Sequence, residues 1–127
     1  MSGPVFLTLK QVQRLHQKSI QRFGGSEGIR DQALFESSVL HPQNVYYYAH
    51  GDLFDIAAAY AYHIAQAQAF FDGNKRTAVA AALTFLEGNG VSTDFDGMPI
   101  YQAMIDVVEK RVDKLQIASL LRQLAGK

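Results

Sequence analysis

The sequence predicts an all-α domain of about six helices, with strand possible only in the loops. Two observations carry this. Apolar residues recur at helical spacing in run after run. Most runs open on a helix-start residue such as Thr, Asp or Pro, and most close on glycine or before proline. Internal repeats, low-complexity tracts and linkers are lacking, so residues 1–127 read as one domain.

The first helix opens at Thr8. TLKQ fits a capping box, with Gln11 three residues after the Thr8 hydroxyl. Leu9, Val12, Leu15, Ser19, Ile20 and Phe23 follow near helical spacing, and Gly24-Gly25 ends the run. After the loop SEGIR, Asp31 caps a short helix, QALFESSVL. His41-Pro42 closes it, because a residue before proline avoids helical angles.

Residues 42 to 52, PQNVYYYAHGD, lack a clear helical period and read as an exposed loop, with room for a short strand. The next helix starts near Asp52 and runs through LFDIAAAYAYHIAQAQAF, with Leu53, Ile56, Ala57, Tyr60, Ile64 and Gln68 on one face. The helix after it starts at Asn74 or Lys75 and continues through RTAVAAALTFLE. It is apolar nearly all round, the mark of a central buried helix. Gly88-Asn89-Gly90 stops it. Pro99 suits the first turn of IYQAMIDVVEK. The last helix is capped at Asp113, with Gln116 completing the box, and carries Ile117, Leu121 and Leu124.

Composition narrows the function. A chain of 127 residues with 48% hydrophobic and 19% charged residues can bury a sizeable core. Zero net charge supplies no global field for nucleic acid or an anionic membrane, so neither is expected as a partner. The absence of cysteine excludes disulfides, thiol chemistry and a Cys-based zinc site, and suits a reducing cytosol. The opening MSGPVFLTLK has no basic, apolar leader, and no window is apolar enough to span a bilayer. The expectation is a soluble cytoplasmic protein.

QAFFDGNKRTA, residues 68 to 78, carries the chemistry. An apolar helix stops at Asp72-Gly73-Asn74, and two cations open the next helix. Free N–H groups and the helix dipole favour an anion there. Gly73 lets a phosphate approach the backbone. Asn74 can cap the helix or orient a ligand. Lys75 offers a point charge and Arg76 a planar fork suited to phosphate oxygens. Asp72, the one acid among them, suits Mg²⁺, commonly held by one or two carboxylates plus phosphates. D-G-N is also ordinary turn chemistry, and a Lys-Arg pair on a first turn is often merely solvated. Cations disfavour a helix N-terminus, however, and need an anionic partner or another reason to be there.

The stretch resembles the signature of the Fic superfamily: histidine, any residue, phenylalanine, any, acid, any, asparagine, any, arginine. Phe70, Asp72, Gly73, Asn74 and Arg76 match it. Lys75 in place of the more usual glycine is the form of the Doc (death-on-curing) branch. FLTLKQVQRLH, RFGGSEGIRDQALFESSVLHPQ and NKRTAVAAALTFLEGNG look like Doc-family sequence in the expected order. The resemblance implies a compact Fic-fold bundle and a toxin of a toxin–antitoxin module. It implies phosphoryl transfer from ATP to a hydroxyl of a protein of the EF-Tu class, blocking translation. The family's general base falls at Gln68. Asp72 would hold Mg²⁺ or assist that base, and Gly73, Asn74, Lys75 and Arg76 would bind nucleotide phosphates. The loop with Tyr46, Tyr47 and Tyr48 resembles the flap that docks the target, although packing is the plainer role for at least one of these tyrosines. An AMP-transferase and a non-catalytic nucleotide- or protein-binding module are the alternatives; Lys75 favours the kinase.

Gln68 is the departure. A carboxamide bonds a hydroxyl but takes no proton near neutral pH. Losing a general base costs roughly 10²–10⁴ in rate, so the chain is expected to be impaired or inactive. His63 lies five residues earlier, roughly 140° around the helix, and faces elsewhere. An introduced replacement of histidine and a natural weakened variant both fit, and the intact remainder of the site favours the first. His16 reads as a core histidine, His41 and His50 as loop residues, and Arg30-Asp31 as bracing the second helix. Many Fic proteins carry an inhibitory helix with Ser or Thr four residues before a Glu. Leu83 stands four before Glu87, so inhibition is expected from an antitoxin in trans.

Overall fold

The computed structural model describes residues 3–127. Residues 1 and 2, the edge of the domain expected over 1–127, lie outside the described residues. The described residues form seven helices and no named strand. They are α1 (Leu9–Phe23), α2 (Gln32–Leu40), α3 (Pro42–Tyr47), α4 (Leu53–Ala67), α5 (Asn74–Gly88), α6 (Met98–Val108) and α7 (Lys114–Leu124). A single antiparallel bridge, Ile29 to Phe70, is all the β pairing present among them.

Helix starts follow local chemistry. Thr8 Oγ1 accepts from Gln11 N at 3.1 Å, and Gln11 Oε1 accepts from Thr8 N at 2.8 Å. Asp113 and Gln116 form the same reciprocal box, at 2.9 Å each way. Asp31 accepts from Leu34 N. Asp52 and Asp55 also close a box, and Arg122 of α7 reaches both Asp52 oxygens at 3.1 Å and Asp55 Oδ1 at 2.9 Å. Burial alone would raise the Asp52 carboxyl. The Asp55 N–H and the Arg122 guanidinium outweigh it and hold the group below the usual carboxylate range. The last helix is thereby tied to the start of α4.

Three features differ from the sequence expectations. Residues 42 to 47, expected as loop, form α3, because Pro42 sits at the first helical position, where its missing N–H costs nothing. His41 keeps helical angles, φ −56° and ψ −38°, although it precedes proline, so α2 and α3 meet at a single residue. Tyr46 packs edge-on against Phe6, while Tyr47 and Tyr48 remain exposed.

The second difference is the end of α4. It stops at Ala67, because Gln68 turns left-handed, short of the expected run through Phe70. The third is the centre of the bundle. α4, rather than α5, is the helix surrounded on all sides. Phe54, Ile56 through Ala61, Ile64 and Ala65 are buried, and α2, α3, α5, α6 and α7 all pack on it. α5 buries one face, through Thr77, Ala78, Ala81, Ala82, Phe85 and Leu86. The alanine-rich composition of α5 reflects close packing against α4 along that face.

Buried polar groups are mostly paired. Tyr60 Oη accepts from Leu7 N at 2.9 Å, and burial pushes its phenol up to about 12. His63 lies away from the α4–α5 turn, as its angle on the helix requires. It stands 3.1 Å from Lys114 Nζ, with its ring centroid 4.0 Å from that of His41. Lysine is only a donor, so His63 Nε2 accepts and the imidazole is neutral. Burial, then His41 and Lys114, pull His63 down to about 3 from its ordinary 6.5.

The sign for stability follows. Between those two values the unfolded chain binds a proton that the folded chain does not, so stability falls as pH drops below about 6.5. His16 and His41, also lowered by burial, act in the same direction. We predict that His63→Gln, which keeps an acceptor for Lys114, flattens part of this acid slope. Urea denaturation midpoints between pH 7 and pH 4.5 provide the test; an unchanged slope would remove His63 as a contributor.

Candidate functional site

The α4–α5 turn builds a cleft. Gln68 ends α4 with φ 48° and ψ 45°, and Gly73 precedes α5 with φ 78° and ψ 16°. These two left-handed residues fold the six linking residues back on themselves. A Cβ at Gly73 would lie 3.2 Å from Ile20 Cδ1, so the glycine is required both by its angle and by the close approach of α1. The cleft measures about 230 Å³ and is lined by Ala65, Gln68, Phe71, Asp72, Gly73, Asn74, Lys75, Arg76, Tyr101 and Val108.

Six residues singled out in the sequence, Gln68, Asp72, Gly73, Asn74, Lys75 and Arg76, thus share one cavity. Tyr46, Tyr47 and Tyr48 lie on and after α3, outside its lining.

Each side chain at the turn has a distinct setting. Asn74 does not cap α5. Its Oδ1 accepts from Phe70 N and its Nδ2 donates to Phe70 O, both at 3.0 Å, so the amide clamps the turn from inside. Gly73 supplies no side-chain cap either, and no acid occupies the first turn of α5. The N–H groups at this helix start therefore face the cleft with the positive end of the dipole.

Asp72 is held at two points. Its carbonyl accepts from His16 Nε2 at 2.7 Å, and its Oδ2 accepts from Ser26 N at 2.7 Å. A carbonyl only accepts, so His16 carries its proton on Nε2. Its ring also lies flat on Phe70, with centroids 3.7 Å apart and planes 8° apart. Burial holds His16 below its ordinary range, keeping it neutral. His16 is thus a satisfied core histidine, and the partner it satisfies is the turn itself.

Arg76 has the reason to be present that its place on the helix demands. Nε donates to Ser19 Oγ at 3.1 Å and Nη2 donates to Gly24 O at 3.4 Å, with the guanidinium 5.0 Å from the Phe23 ring centroid. The C-terminal end of α1 therefore neutralises part of its charge. Among the described residues no such partner reaches Lys75, which stands at the N-terminus of α5 facing the cleft.

Three contributors are invisible in the sequence pattern. Arg30 does not brace α2: its Nε and Nη2 donate to Gln68 O at 3.2 and 2.6 Å, across 38 residues. Ser26 acts through its backbone. Tyr101 enters the cleft wall from α6. The hydrophobic period placed Tyr101 on a helix, but nothing local says which neighbour it faces.

The arrangement suits an anionic ligand with a divalent cation. No cluster of three His, Cys, Asp or Glu that could cage a metal occurs among the described residues. The donor set is one carboxylate beside two cations and open N–H groups, which fits Mg²⁺ carried on phosphates rather than a protein-only cage. No helix is long and apolar enough to cross a membrane among the described residues.

Comparison with known proteins places the sequence among relatives. The family model described as "Fic/DOC family" matches residues 6–86. The chain is 34% identical over 113 residues to the "Protein kinase doc" of Escherichia phage P1, covering 88% of this chain and 89% of the relative. It is 41% identical over 108 residues to the "Toxin Doc" of Mycolicibacterium smegmatis, covering 82% and 81%.

The pair of hydrogen bonds between Asn74 and Phe70 makes the turn's shape testable without any ligand. Asn74→Ala removes both partners from a part-buried N–H and carbonyl, and we predict a loss of about 1–3 kcal/mol. Urea denaturation measures it. A loss within error of zero would show that the turn keeps its shape without the clamp.

Proposed function

The chain belongs to the Fic/DOC family, and on that premise we propose that it is a Doc-type toxin whose cleft transfers phosphoryl groups from ATP to a protein hydroxyl, weakened by Gln68. The observation that carries this reading is the gathering of Gln68, Asp72, Lys75 and Arg76 around the uncapped start of α5.

The residues divide the work. The open N–H groups of the first turn, with Lys75, receive phosphate oxygens. Arg76, anchored on Ser19 and Gly24 by Nε and one terminal nitrogen, presents the rest of its fork to them. Asp72 would hold Mg²⁺ on the nucleotide, which would supply charge neutralisation at the phosphates. In the transfer, the target hydroxyl oxygen bonds to the γ-phosphorus as the bond to the β–γ bridging oxygen breaks, and the hydroxyl proton must leave. Side chain 68, on the cleft wall, is the group assigned to take that proton. Histidine there accepts it; the Gln68 carboxamide binds the hydroxyl and leaves the proton in place.

The target class is a translation factor of the EF-Tu type, and control comes from an antitoxin acting in trans, since α5 carries no inhibitory sequence of its own. Lys75 favours the phosphoryl product over the adenylyl one.

Two outcomes test the reading. Gln68→His should raise transfer by roughly 10²–10⁴ and inhibit bacterial growth unless an antitoxin is present. The label should come from the γ-phosphate of ATP; α-phosphate label would replace the kinase with an AMP-transferase. Adding Asp72→Ala should abolish it. A folded Gln68→His protein that binds ATP, labels nothing in a cell extract and leaves growth untouched would leave a binding module instead. Separately, Arg76→Ala should weaken ATP binding measured by calorimetry while circular dichroism stays helical, and unchanged affinity would remove Arg76 from the site.

A further inference from the structure

Gln68 occupies a backbone conformation that L-residues avoid. Its φ is 48°, one of three positive values among the non-glycine residues described. Helices commonly end on a left-handed residue, and glycine is the usual choice because a Cβ is strained there. Glycine is excluded here if the position must carry a side chain into the cleft. The strain must then be held from outside.

One residue does so. Arg30 places Nε and Nη2 on the Gln68 carbonyl at 3.2 and 2.6 Å. These are charge-assisted bonds onto the end of α4, where the dipole is negative. The plain alternative is that Arg30 simply docks its own loop against the turn. That docking is already made by backbone. Arg30 N and Asp31 N both donate to Ala69 O, at 2.6 and 3.1 Å, and Phe71 N donates to Gly28 O at 3.4 Å. Asp31 separately caps α2. Among the described residues, the Arg30 side chain supplies the hydrogen bonds to the carbonyl of residue 68 from outside α4. It is absent from the cleft lining, so it is not placed to touch a ligand there.

We infer that Arg30 is a positioning residue for side chain 68: by gripping the Gln68 carbonyl it holds the left-handed backbone and so aims whatever side chain stands there into the cleft. The holding role needs only the geometry; its effect on transfer rests on position 68 being the proton acceptor of the proposed function. Because the grip is on a carbonyl, it acts equally on glutamine and histidine.

Two measurements decide it. In the chain as it stands, Arg30→Ala should lower the urea midpoint less with Gln68 than in the Gln68→Gly background: freed of its grip, Gln68 leaves the strained angle and recovers part of the loss, whereas glycine has no strain to shed. Equal losses in the two backgrounds overturn the inference. In the Gln68→His background, Arg30→Ala should lower kcat roughly 10–100-fold, the usual cost of a misplaced catalytic group. The calorimetric Kd for ATP should stay within about twofold, since no nucleotide contact is removed. Arg30→Lys, which keeps one donor, should fall between and serves if the alanine variant does not fold. An unchanged kcat also overturns the inference. If Gln68→His transfers nothing with Arg30 present, the proton-acceptor reading fails alone, and the midpoint comparison decides for or against Arg30.

Discussion

Alanine governs the approach of α4 to α5, and the site hangs from that approach. Ala57, Ala58, Ala59, Ala61 and Ala65 on α4 and Ala78, Ala81 and Ala82 on α5 are fully buried. The two helices form the most extensive pairing in the bundle. Interaxial distance follows the size of the side chains at the contact, and side chains this small permit a close pair. A close antiparallel pair needs a tight return. Six residues supply it, opened by one left-handed residue and closed by another. The cleft is the concave side of that return.

A turn of this kind does not stand by itself. Asn74 clamps it from within, and, besides the backbone bonds of Gly28, Arg30 and Asp31, three residues hold it from outside: His16 on the Asp72 carbonyl, Ser26 on the Asp72 carboxylate, Arg30 on the Gln68 carbonyl. All three come from α1 and the loop that follows it. That segment contributes no residue to the lining of the cleft. Its work is mechanical.

Local chemistry was legible and long-range chemistry was not. The caps at Thr8, Asp31, Asp52 and Asp113 stand where the sequence puts them, because each bond spans three residues. The grouping of Asp72 through Arg76 was legible for the same reason. α3 escaped because six residues are too few to display a period and the tyrosines mask its proline start. The relative burial of α4 and α5 escaped because both are rich in alanine and other apolar residues, and only the packing of the other helices distinguishes them. Arg30 to Gln68, His16 to Asp72 and Arg76 to Ser19 span 38, 56 and 57 residues, and no spacing rule reaches that far.

Among the described residues, the long-range hydrogen bonds to residue 68 are made to its backbone carbonyl, and this separates two inheritances. Side chain 68 is exposed and carries none of the hydrogen bonds that shape the turn. Histidine and glutamine codons differ only in whether the last base is a pyrimidine or a purine. A single transversion therefore exchanges an ionisable side chain for a non-ionisable one without removing any of these hydrogen bonds. In such a lineage, selection on chemistry and selection on folding act on the same codon without interfering with one another.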